Sequence, residues 1–161
     1  MERPLPVDTG TLRGARVVGV VCALAFLAPV VLSLFFPAGF FFAPYHRIYE
    51  RMLGALLLAF ALGLGLALRD PVRNAGVYAV IGLATAFLAV STAYSLVFEG
   101  ADALHWWVQL PLLVAIAATL VVTYTRLRRP HPLIVRIVVA AVLLLPGALA
   151  LYDIAYRSLV R

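Results

Sequence analysis

The chain has 161 residues, 65% of them hydrophobic and 12% charged, with a formal net charge of +6. That composition leaves no room for a soluble domain. In so apolar a chain the positive charge points to loops facing anionic headgroups, not to nucleic acid. All thirteen basic residues are arginine, as expected of a GC-rich bacterial genome, and the lone Cys22 excludes an intrachain disulfide and a CxxC redox or zinc site.

The apolar runs are continuous, not alternating, and about 20 such residues suffice to cross a bilayer as a helix. The expected class is all-α: a polytopic integral membrane bundle of five transmembrane helices, residues 14–157, behind a cytoplasmic tail, residues 1–13. Helix one is expected over 14–36, with a kink near Pro29 and Ser33. Its apolar stretch, Val17 to Phe36, exceeds the h-region of a secretory signal, and bulky aromatic residues follow it, so it is expected to stay in the membrane. A loop rich in aromatics, Phe40, Phe41, Phe42 and Tyr45, precedes helix two, residues 48–68, which stops at the turn Arg69-Asp70-Pro71. Helix three is expected over 74–98 and helix four over 104–126. Helix five, over 133–156, follows the break Arg128-Arg129-Pro130-His131-Pro132. Pro111 and Pro146 fall inside the last two, where neighbouring helices can re-satisfy the freed carbonyls.

Five spans divide the arginines unevenly. One side collects Arg3, Arg13, Arg16, Arg69, Arg73, Arg126, Arg128 and Arg129; the other collects Arg47, Arg51, Arg157 and Arg161. Arg136, one turn into helix five, can snorkel back to the richer side. By the positive-inside rule the protein belongs to the bacterial inner membrane, with its N-terminus in the cytoplasm and its C-terminus outside. Helix two carries small residues four apart, Ala55, Ala59, Gly63 and Ala67, a spacing that lets helix backbones approach closely within the bundle.

The outward side then holds most of the polar chemistry: His46, Glu50, Glu99, Asp102, His105 and Asp153, beside Trp106, Trp107, Tyr152 and Tyr156. Tryptophan and tyrosine there form an interfacial belt by default. They can also floor a shallow pocket for a lipid tail, quinone or pigment edge. The docking residues expected are Trp106, Trp107, His105, Phe41, Phe42, Tyr45, His46, Glu50 and Asp153. His46 and Glu50 would share a helix face, but no two histidines stand in metal-binding register, so no metal site is expected. Surface ion pairs are expected instead: Glu50 with Arg47 or Arg51, and Asp153 with Arg157. The helix centres hold almost nothing ionisable, and Thr85, Ser91, Thr92 and Thr119 can bond back to their own helices. Without a mid-membrane acid or broken helix pair, a channel or transporter is disfavoured. Without a nucleophile motif, phosphate loop or HExxH, so is an enzyme.

The stretch from Tyr49 to Val72, YERMLGALLLAFALGLGLALRDPV, resembles small bacterial membrane proteins of the DoxX-like kind and related four-helix families. The similarity lies in a helix opened by Glu50, Arg51 and Gly54 and closed by Arg69, Asp70 and Pro71, and it extends to about Tyr124. The fifth helix departs from the four-helix pattern. The resemblance implies a quinone-linked or complex-associated role and no defined reaction. The combined expectation is a non-catalytic accessory subunit of a larger respiratory or photosynthetic membrane complex. Its partners would be membrane lipids and other membrane subunits, and it would need no cofactor of its own. The alternative is a stand-alone binder of lipid, quinone or pigment at the outer face.

Overall fold

The computed structural model describes residues 8–35, 47–98 and 105–159, the side chains of Arg47, Tyr49 and Glu50 excepted. Among the described residues there is no strand. The helices are α1 (Thr9–Phe35), α2 (Arg47–Ala67), α3 (Ala75–Phe98), α4 (Leu110–Leu127) and α5 (Pro132–Leu159), with a π-helical turn, His105–Gln109, leading into α4. Four stretches are long and apolar enough to cross a membrane: Thr9–Phe35, Ala75–Phe98, His105–Leu127 and Pro132–Leu159, of 27, 24, 23 and 28 residues. At 1.5 Å per residue they run roughly 35–42 Å, more than the ~30 Å hydrocarbon core requires. A shorter apolar helix, Arg51–Ala67, is the fifth.

Local chemistry sets the helix ends. Helix α1 begins about one turn before the expected position, because Asp8 is a helix start: Leu12 N–H donates to the Asp8 carbonyl, 3.1 Å. The Asp8 carboxylate also accepts from the Thr9 hydroxyl at 3.5 Å. Such a polar first turn reads as tail by hydropathy and as an N-cap by hydrogen bonding. Between α2 and α3, Asp70 Oδ1 accepts from the Arg73 N–H at 3.1 Å, and the Asp70 carbonyl accepts from Asn74 Nδ2 at 3.0 Å. Ahead of α5, His131 Nδ1 accepts from the Leu133 N–H at 3.2 Å, and Pro132 opens the helix where a missing N–H costs nothing.

Pro111 accounts for the π-helical turn. It is the second residue of α4, and its ring would clash with the carbonyl four residues earlier, that of Trp107. A wider turn over His105–Gln109 removes the clash. Within α4, Thr119 Oγ1 donates back to the Ala115 carbonyl at 2.7 Å.

The described chain divides into two compact units. The first takes residues up to Ile81 together with Leu120–Arg128; the second takes Gly82–Thr119 and Arg129–Arg161.

In the first unit α1 buries Ala15, Gly19, Cys22 and Phe26, a stripe with alternating spacings of four and three. That rhythm gives the narrow seam of a left-handed helix pair. Its neighbour α2 buries Phe60, Ala61, Leu64 and Ala67, and α3 adds Ala75, Tyr78 and Ile81. Phe26 and Phe60 meet edge to face, with ring centroids 5.4 Å apart. Two polar ties close the same unit. The Tyr78 hydroxyl donates to the Ala15 carbonyl at 3.1 Å, and Arg16 Nε donates to the Leu68 carbonyl at 3.3 Å. The second tie satisfies a carbonyl that the end of α2 leaves without an intrahelical donor.

The expected row of small residues divides in two. Ala55 and Ala59 are exposed, whereas Ala67 is buried and Gly63 half-buried; an added Cβ on Gly63 would sit 3.5 Å from Ile81 Cδ1 and 3.8 Å from Val77 Cγ1. Residues four apart drift by about 40° around a helix at each step, so such a row cannot keep facing one straight neighbour. In the second unit the buried positions are Gly82, Thr85, Ala89, Leu96, Ile116 and Ala117, while α5 has no buried residue over its 28 positions.

Candidate functional site

The expected outward chemistry falls largely in the second unit, on the end of α3, the start of α4 and the second half of α5. Phe41, Phe42, Tyr45 and His46 lie outside the described residues, as do Glu99 and Asp102. Glu50 belongs to α2 by its backbone, and its side chain is outside the description.

The two tryptophans sit on the π-helical turn. Trp106 is 40% exposed and Trp107 81%, with Val108 exposed beside them. His105 is half-buried, and its Nδ1 is shielded from solvent. Wide turns of this kind recur at functional sites because they re-aim side chains.

Asp153 has a partner that the sequence does not name. Its Oδ2 accepts from the Tyr94 hydroxyl at 2.8 Å, a tie from α5 to α3 across 59 residues of sequence. This bond, and not the expected ion pair with Arg157, is what holds the carboxylate. The tyrosine ring in turn packs against Phe98, centroids 4.6 Å apart. One turn apart on α5, Tyr152 and Tyr156 stack with centroids at 6.4 Å.

Asp153 lies 21 residues beyond the start of α5 and Tyr94 lies 19 beyond the start of α3. Those separations are about 32 and 29 Å of helix, so the bond joins the two helices near their C-terminal ends. The Tyr94 bond ties this part of α5 to α3. Interhelical hydrogen bonds in membrane proteins contribute little each, about 0.6 kcal/mol on average. We therefore expect a double-mutant cycle on Asp153→Ala and Tyr94→Phe to return a coupling of about 1 kcal/mol, read from unfolding in mixed micelles. A coupling near zero would mean that the contact has no share in holding α5.

Among the described residues no three or more histidine, cysteine, aspartate or glutamate side chains gather where they could hold a metal ion. Cys22 is buried and free in the first unit. This end of the second unit presents exposed aromatic faces, one hydrogen-bonded carboxylate and a half-buried imidazole.

The helices make this chain a multi-pass helical membrane protein. No family model, no curated protein and no solved structure matches it.

Proposed function

We propose that the protein is a non-catalytic accessory subunit of a larger bacterial inner-membrane complex, crossing the bilayer five times with its N-terminus in the cytoplasm. The observation that carries this reading is α5. It is 28 residues long, membrane-length and apolar, and buries none of its residues within the described chain. A helix so placed adds lateral surface and no enclosed site. The second support is the exposed pair Trp106 and Trp107, the residue type most enriched at the centres of protein interfaces. The shorter α2 completes the five crossings: its full 21 residues span about 31 Å, enough for the core with little tilt.

Within this reading the aromatic end lies outside and the arginine-rich end inside. The outer rim docks a neighbouring subunit, with the tryptophans as anchors and Asp153 held in place by Tyr94. The DoxX-like resemblance fits a complex-associated role of this kind. Purification of the full chain from its own membranes in a mild detergent tests the proposal. Other polypeptides recovered in fixed ratio support it. A monodisperse single chain that carries a bound lipid or quinone contradicts it and favours a stand-alone binder.

A further inference from the structure

Apart from the aromatic end, the first unit carries a second concentration of chemistry. Six described arginines, Arg13, Arg16, Arg69, Arg73, Arg126 and Arg128, stand against two carboxylates, Asp8 and Asp70. They are gathered at one end of the helices by contacts already given. Arg16 reaches the last turn of α2, and Tyr78 at the start of α3 reaches Ala15 near the start of α1. Thr123 and Arg126 on α4 share a cleft with Gly14 and Ala15 on α1. All six arginines are exposed. The two acids offset two of the six charges at most, and the contacts they make are to the neutral Arg73 N–H and Thr9 hydroxyl. The surplus positive charge needs anions from outside the chain.

Beside this charge lies an open groove of about 430 Å³, lined by Arg73, Asn74, Gly76, Val77, Val80 and Ile81. Its chemistry changes along the helix. Arg73 and Asn74 form a polar head, and the apolar residues then descend α3 at steps of three and four, about 10 Å of axial length. Val77 and Ile81 are backed by α2, since their methyl groups lie 3.8 and 3.5 Å from where a Cβ on Gly63 would be. Val80 is 67% exposed, and an added Cβ on Gly76 would meet no atom within 4 Å. The groove is thus firm at its back, open at its front and charged at one end.

We propose that this groove binds an anionic phospholipid, with its phosphate on Arg73 and Asn74 and an acyl chain along Val77, Val80 and Ile81. Guanidinium pairs with phosphate through strong charge-assisted hydrogen bonds, and the surrounding arginines raise the local concentration of anionic headgroups. A soluble anion would use only the polar head. A lipid uses both halves, and charge complementarity with the arginine end selects an anionic one. The inference rests on the reading as a membrane protein and is independent of the accessory-subunit role and of which leaflet the arginines face.

The test uses the full-length protein in mild detergent, with dioleoyl phosphatidylglycerol and dioleoyl phosphatidylcholine as probes and native mass spectrometry to count bound lipids. Wild type should retain phosphatidylglycerol roughly tenfold better than phosphatidylcholine, because both carry the phosphate but the arginines repel the choline's trimethylammonium, at about 1 kcal/mol per nearby arginine. Arg73→Gln should remove most of that preference. Val80→Trp keeps every charge and fills the groove, and should also lower retention several-fold. Arg128→Gln, outside the groove, should change it less than either. Excess inorganic phosphate should leave the lipid bound.

Equal retention of the two lipids by wild type would overturn the proposal. So would loss in Arg73→Gln with none in Val80→Trp, which means general attraction to the arginines without a groove. Displacement by phosphate alone would assign a free-anion site instead. Wild-type lipid binding by Val80→Trp together with loss of co-purifying chains would place a partner helix in the groove, and also overturns it. Should Val80→Trp not elute as wild type does, Gly76→Leu fills the same space and carries the same expectation.

Discussion

Leucine in place of Gly19 is expected to lower the stability of the first unit by about 3 kcal/mol, the upper part of the range for overpacking a tight contact. An added Cβ at this position would come 2.5 Å from Leu68 Cδ2 and 2.9 Å from the Tyr78 hydroxyl oxygen. Leu68 can move, because the atom concerned is the end of a flexible side chain. Tyr78 cannot: it is fully buried, its ring is rigid, and its hydroxyl is bonded to the Ala15 carbonyl, one turn before Gly19. A larger side chain must therefore break that bond and push α3 away from α1. Replacing glycine by a good helix former returns at most about 1 kcal/mol of backbone preference, too little to offset the clash. Gly65 is the control, since an added Cβ there meets nothing within 4 Å. Gly65→Leu should unfold at or slightly above the wild-type denaturant midpoint and Gly19→Leu well below it. Equal midpoints for the two variants would mean that the seam between α1 and α3 is loose.

The second large effect is expected at the aromatic end. Trp106→Leu with Trp107→Leu should weaken recovery of partner chains by roughly 2 kcal/mol or more, about a thirtyfold loss of affinity, if the pair forms the centre of an interface. Two mechanisms compete here. As a headgroup belt, the indoles contribute an amphipathic anchor, and leucine keeps most of the hydrophobicity. As interface anchors they contribute large rigid surfaces that leucine cannot reproduce. The exposure of Trp107, at 81%, leaves its indole free for either role. Pull-down of partners from native membranes separates the two. A strong loss at unchanged thermal stability assigns docking. Unchanged recovery leaves only the belt.

The helices are legible in the sequence because their signal is the one the bilayer itself enforces: continuous apolar runs broken by arginine, aspartate and proline. The turn Arg69-Asp70-Pro71 can be read for the same reason. The polar first turn of α1 cannot be read from hydropathy, since Asp8 and Thr9 act through hydrogen bonds at the helix start. The π-helical turn has a visible cause in Pro111, four residues after Trp107.

Which face each helix buries is harder to read. In water an apolar stripe marks the core, but here lipid and protein are equally apolar, and nearly every position of α5 reads alike. Small residues are the available guide, and they place Gly63 near α3 while Ala55 and Ala59 take no such part. The signals that sequence reasoning misses are polar. Tyr78 and Tyr94 each send a hydroxyl to another helix, to Ala15 and Asp153. A solitary acid in an apolar helix announces that some donor must meet it, and nothing in sequence says which tyrosine is within reach.

Every assignment of an inner and an outer end depends on five crossings with the arginine-rich side in the cytoplasm. Reporters fused after Arg161 test this most directly, one fluorescent only in the cytoplasm and one phosphatase active only outside it. Eight arginines against four predict a dark fluorescent fusion and an active phosphatase fusion. A bright cytoplasmic fusion with an inactive phosphatase would mean an even number of crossings, with α2 not spanning the bilayer, and the aromatic end could then no longer be assigned to the outer face.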